Sequence, residues 1–143
     1  MASEYRPNFG VIPLTASTAI RVDAFAGKVA RLANAAGLTV TLPPATGSGA
    51  RFEFVVSVAV TSNQYRIDTA GTDKISGLAH MLGSAAATFA AAAASNGRIN
   101  MNGTTTGGLV GTRVMVEDIG AGLWSAVVHG AGSGTAATPF ADK

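Results

Sequence analysis

Two histidines, His80 and His129, are the only imidazoles in the 143-residue chain. Neither has a second ligand three or four residues away to complete a metal site. His129 closes an apolar run just before Gly130 and reads as a surface or interface residue at a strand end. His80 lies in Leu78-Ala79-His80-Met81-Leu82 and reads as packed or capping. Cysteine is absent, which removes disulfides, thiolate zinc sites and thiol nucleophiles together. The carboxylates are Glu4, Asp23, Glu53, Asp68, Asp73, Glu117, Asp118 and Asp142. Acid–base work on glycosides needs two of them at a defined separation across a cleft. Asp68 and Asp73 form the one pair with loop character, and nothing around them singles them out. The adjacent Glu117 and Asp118 point to opposite faces of a strand and read as solubilisers of a sheet edge. Gly107-Gly108 and the run from Gly130 to Gly134 lack the Lys and Ser or Thr of a phosphate loop. No Gly-x-Ser-x-Gly occurs either. The chain reads as a non-enzyme without a cofactor or a metal.

Composition narrows the classes further. Charged residues make up 13% of the chain, about half the usual share, which argues against a disordered tail. Ten Lys and Arg balance eight Asp and Glu for a net charge of +2. The basic residues are spread singly, unlike the clustered footprint of a nucleic-acid binder. No stretch reaches the roughly 18 apolar residues of a membrane helix, and Met1 to Pro7 carries no secretory apolar core. We therefore expect a soluble chain made in a cytoplasm, with neither nucleic acid nor membrane as partner. Eighteen glycines and still more alanines supply much of the apolar 48%, while aromatics are 6%. Such a chain, poor in charge and bulk, suits sheets covered on both faces or burial completed in an assembly.

The apolar pattern is of period two. Phe52, Phe54, Val56, Val58 and Val60 share one face of a strand over 51–60, the central core strand. Ile20 and Val22 alternate, as do Leu38, Val40 and Leu42 before Pro43-Pro44. Further strands cover 64–69, 97–102, 111–119 and 123–129, separated by Gly-rich turns. The result is an all-β fold: an antiparallel sandwich or jelly-roll-like barrel of seven or eight short strands. Residues 85–94 are nearly all Ala; we read them as extended or loop, with Phe89 inward. Residues 1–16 form an extended N-terminal arm, because Pro7 and Pro13 disfavour helix before them. That arm either adds an edge strand to its own domain or reaches a neighbouring subunit. The β domain spans 17–129. A Gly-rich C-terminal tail, 130–143, ends in Thr138-Pro139-Phe140, an aromatic able to fill a pocket on the same or an adjacent chain.

Three segments resemble small structural proteins of tailed bacteriophages. They are Thr39-Val40-Thr41-Leu42-Pro43-Pro44-Ala45-Thr46-Gly47-Ser48-Gly49 with the Phe52-Glu53-Phe54-Val55-Val56 strand, the stretch from Ile99 to Gly111, and the ending from Trp124 to Phe140. The resemblance implies a capsid decoration, or cement, protein on the outer face of the virion head, synthesised in the host bacterial cytoplasm. It also implies a homotrimer bound to the major capsid protein that stabilises the expanded head. On that reading Tyr5, Arg6, Phe9, Val11, Ile12 and Phe140 are the candidate capsid or inter-subunit contacts. The alternative is a head- or tail-fibre module that binds host surface glycans, which would need exposed aromatics such as Trp124 or Tyr65.

Overall fold

The computed structural model describes residues 9–143. The early strands alternate between two sheets. β1 (Val11–Leu14), β3 (Val29–Leu32) and β5 (Arg51–Val56) stack in parallel in one sheet. β2 (Thr18–Ala19), β4 (Leu38–Thr41) and β6 (Tyr65–Asp68) stack in parallel in the other. The chain thus winds as a flat three-turn coil, since parallel neighbours require a crossover and the opposite sheet supplies it. The later strands close the two layers. β7 (Lys74–Leu82), β8 (Ala86–Ala90), β10 (Arg113–Gly120) and β11 (Leu123–Ala131) complete a seven-stranded sheet in the order β1-β3-β5-β10-β11-β7-β8. β9 (Asn96–Met101) and β12 (Phe140–Asp142) complete a five-stranded sheet, β12-β9-β6-β4-β2. The fold is all-β, as the alternation predicts. Its sheets are mixed rather than antiparallel, because the coil and the β7–β11 pair are parallel, and the described residues form twelve strands rather than seven or eight.

One core fills the space between the layers. Alternation supplies it: Phe52, Phe54 and Val56 from β5, Val114 and Val116 from β10, and Trp124, Ala126 and Val128 from β11 are all buried. Trp124 packs against Phe52 at 5.7 Å between ring centroids. Tyr65, Ile67, Ile99 and Met101 face them from the smaller sheet. The Tyr65 hydroxyl donates to the Val58 carbonyl at 2.7 Å and accepts from the Asn34 amide at 2.9 Å, tying two loops to β6. Burial raises the Tyr65 pKa, and the Asn34 hydrogen bond only partly offsets it. Removing this hydroxyl leaves the part-buried Asn34 amide and Val58 carbonyl short of a partner. Tyr65→Phe should therefore cost about 2 kcal/mol in urea unfolding, and a cost below roughly 0.5 kcal/mol would show the two loops to be held by other contacts.

Two local expectations change. Residues 22–25 form α1 (Val22–Phe25), a single exposed helical turn, rather than a strand through Val22. Arg21 and Asp23 pair across its start, and Gly27, at φ 76°, turns the chain into β3. β5 ends at Val56 instead of continuing to Val60. Ser57 and Val58 both donate their amides to the Leu32 carbonyl, so the chain leaves the sheet and Val58 turns to solvent. The Ala-rich segment is extended as expected: Ala86–Ala90 is the edge strand β8, with Phe89 packed against the core.

Residues 130–143 belong to the same packed unit. The Gly132 amide donates to Leu82, and those of Ser133 and Gly134 donate to the Thr104 carbonyl. A Cβ on Gly132 would lie 2.2 Å from that carbonyl oxygen, so only glycine allows the approach. The Thr104 loop is itself organised by Asn102, whose Oδ1 accepts the amides of Thr104, Thr105 and Thr106. β12 then pairs with β9 and seats Phe140 opposite Ile99. Phe140 is 5% exposed, and Phe140→Ala should destabilise the chain by about 3 kcal/mol. A chemical melt reads this directly; a value near zero would mean that β12 is not held as described.

Candidate functional site: the outer face of the large sheet

The outward-facing residues of the seven-stranded sheet are brought together by register. One row runs Val11, Val29, Glu53, Met115, Val127, Leu78, Ala90 across all seven strands. Six of these seven side chains are apolar. Leu78 is 54% exposed and Met115 40%. Leu82 and Ile119 add exposed apolar surface on the same face. The neighbouring row runs Pro13, Arg31, Val55, Arg113, His129, His80, Thr88. Its charges are partly neutralised within the chain, as Arg113 pairs with Glu53. Arg51 pairs with Glu117 at 3.3 Å across β5 and β10. His80 and His129 are register partners and stack at 5.5 Å between centroids, 16° from parallel. Both are exposed, so His80 is a surface residue rather than a packed one.

Two depressions open on this face. One, of about 500 Å³, lies between the Gly27-Lys28 turn and a floor that includes Met115 and Val127. The other, of about 420 Å³, lies between the stacked histidines and Leu82, Ala86 and Thr88. The outer face of the five-stranded sheet is different in kind. It carries Thr39, Thr41, Arg66, Asp68, Arg98 and Asn100. Asp68 and Arg98 form a two-point fork there, 2.7 Å at each contact, which raises the Arg98 pKa despite its partial burial. One face of the sandwich is thus polar, with Asp68 and Arg98 paired on it, and the other carries a middle row that is apolar except for Glu53.

The end of β10 on the large sheet is held by Asp118. Its carboxylate is 2% exposed and accepts the amides of Thr46, Gly47 and Ser48 at 2.9, 2.7 and 3.1 Å, with the Ser48 hydroxyl at 2.8 Å. Burial pushes the Asp118 carboxyl up, but these donors outweigh it and hold its pKa well below the usual carboxylate range. Asp73 does similar work beside it, accepting the Ala45 amide at 2.7 Å. The Ala45-Thr46-Gly47-Ser48 segment is therefore a nest of donors folded around two carboxylates. This corrects the reading of Asp118 as an edge solubiliser: β10 lies between β5 and β11, inside the sheet. The signal was present, since Asp118 continues the Val114, Val116 face.

The six candidate contact residues separate. Tyr5 and Arg6 lie outside the described residues. Phe9 is 83% and Val11 62% exposed, and Val11 begins the apolar row. Ile12 is half-buried against the core. Phe140 is inside the core and offers no surface. β1 forms an edge strand of its own domain, which is the first of the two readings of the arm for residues 11–14. Leu78, Met115 and Val127 escaped the sequence reading because only strand register assembles them. Among the described residues no group of three or more His, Asp or Glu gathers into a metal-binding cluster. Trp124 and Tyr65 are fully buried. Neither family models, nor curated proteins, nor solved structures give a match to this chain.

Proposed function

We propose that this chain is a virion structural protein of a tailed bacteriophage: a decoration, or cement, protein. It binds the outer surface of the capsid lattice through the outer face of its seven-stranded sheet and stabilises the expanded head. The observation that carries the reading is the row from Val11 to Leu78, apolar except for Glu53, in which Val11, Met115 and Leu78 are exposed. Exposed apolar residues aligned on one sheet face mark a surface that another molecule covers. The resemblance of the 39–56, 99–111 and 124–140 segments to phage structural proteins names the kind of partner, the major capsid protein. A homotrimer gives three such faces, so modest contacts add up to avid binding where geometry permits them together. The fibre-module alternative loses support from the burial of Trp124 and Tyr65, which leaves neither ring free to stack on a sugar.

A clamp that stabilises the expanded shell has to bind that lattice better than the unexpanded one. Purified protein incubated with both head forms and sedimented should pellet with expanded heads and remain largely in solution with unexpanded ones. Absence of pelleting with either form would overturn the proposal.

A further inference from the structure

Each edge of the two sheets presents backbone N–H and C=O groups that can pair with another chain. Three of the four edges are blunted. On β1, Gly10 and Leu14 accept from β3, so Val11 and Pro13 face outward, and Pro13 has no N–H to offer. β2 is two residues long. β12 is three residues long and ends on Asp142 beside Lys143. β8 is unprotected. It has five residues, and neither Pro nor any Asp, Glu, Lys or Arg occurs between Lys74 and Arg98.

The ladder phase fixes which β8 groups point outward. The Ala91 amide donates to the Gly77 carbonyl at 2.9 Å, and the register runs from Leu78 opposite Ala90 to Leu82 opposite Ala86. Antiparallel pairs alternate between bonded and non-bonded. Ala87 and Phe89 therefore bond to β7, while Ala86, Thr88 and Ala90 turn their N–H and C=O groups away from it. All three are exposed.

We infer that β8 pairs antiparallel with β8 of a second copy, about a twofold axis through Thr88. The outward groups are symmetric about that residue: Ala86 meets Ala90 of the other copy, and Thr88 meets Thr88. Every outward donor then faces an outward acceptor, and a one-residue slip would break the match. The unpaired main chain carries the inference, and the small side chains permit it. A Thr–Thr pair across strands is favourable, and Phe89, half-buried in one copy, comes to lie against Ala87 of the other. The pairing joins two seven-stranded sheets edge to edge and leaves the apolar outer face free. Its failure would therefore leave the capsid-binding reading standing.

Cross-linking and mass test it together. The native chain has no cysteine, so Thr88→Cys introduces a single thiol. Directly bonded antiparallel residues have Cα atoms about 5.5 Å apart, within the roughly 4.4–6.8 Å that a disulfide spans. Under mild oxidation Thr88→Cys should form a covalent dimer much faster than Ala87→Cys, whose partner in this register is Phe89. Thr88→Pro removes an N–H that bonds nothing in its own chain, so the β7–β8 ladder survives. In sedimentation equilibrium it should lower the wild-type mass, since the twofold link is lost whether it joins single chains or the proposed trimers, while circular dichroism stays unchanged. Equal masses for wild type and Thr88→Pro, or equal cross-linking of the two cysteine variants, would overturn the inference.

Discussion

Asp118→Asn is expected to cost about 3 kcal/mol at neutral pH, lowering the thermal midpoint by roughly 10 °C. The amide keeps the shape of the side chain but loses the charge and one acceptor. Its NH2 group must then face donors from Thr46, Gly47 or Ser48, which already point inward. The loss falls on a strand paired on both sides, where the chain has no cheap way to relax. The pH dependence carries a definite sign. The folded pKa of Asp118 lies below its unfolded value of about 3.9. The carboxylate thus contributes its full stabilisation above that value, and the contribution is lost as pH falls toward the folded pKa. Urea midpoints of wild type and Asp118→Asn should converge as the pH is lowered below about 4. A gap that stays constant into acid would mean that the charge is not what holds the Thr46–Ser48 nest.

The second large effect concerns binding rather than stability. Leu78→Asp combined with Met115→Lys leaves the net charge unchanged and places two polar ends in the apolar row. Both side chains are outward and partly exposed, so the fold should lose no more than about 1 kcal/mol. Binding to expanded heads should weaken at least roughly 100-fold, which corresponds to about 2.7 kcal/mol. The proposed interaction rests mainly on apolar contact and should persist at about 0.5 M salt, where charges further apart than roughly 4 Å are screened. Titration of labelled protein onto heads measures both. Unaltered affinity in the double variant would move the contact away from this face.

The sequence made the core strands readable wherever bulky residues alternate with small or polar ones. Phe52, Phe54 and Val56 marked β5, and Trp124, Ala126 and Val128 marked one face of β11. β7 misleads for a physical reason. Two leucines, Leu78 and Leu82, are on the solvent face, while its core face mixes Ile75 and Met81 with the small Gly77 and Ala79. Gly77 is small because Ala126 of β11 passes it so closely that a Cβ would lie 1.9 Å from that carbonyl oxygen. His80, sharing a face with the two leucines, therefore looked packed and is exposed. Parallel pairing of the early strands left no local mark, since alternation reports which face is buried and not which strand lies alongside. The same limit hid the candidate site: Met115, Val127 and Leu78 are single outward residues on three strands, and only register makes them a row. The Thr46-Gly47-Ser48-Gly49 loop was recognised as a turn, but its role in holding Asp118 needed the geometry.

Cryo-electron microscopy of intact particles of the phage proposed to encode the chain tests the central claim most directly. Its prediction is density for this fold in protrusions at the local threefold axes of the expanded head, with the Val11–Met115–Leu78 row turned toward the capsid lattice. Density confined to fibres or the tail tip, or a head whose surface lacks this fold, would contradict it.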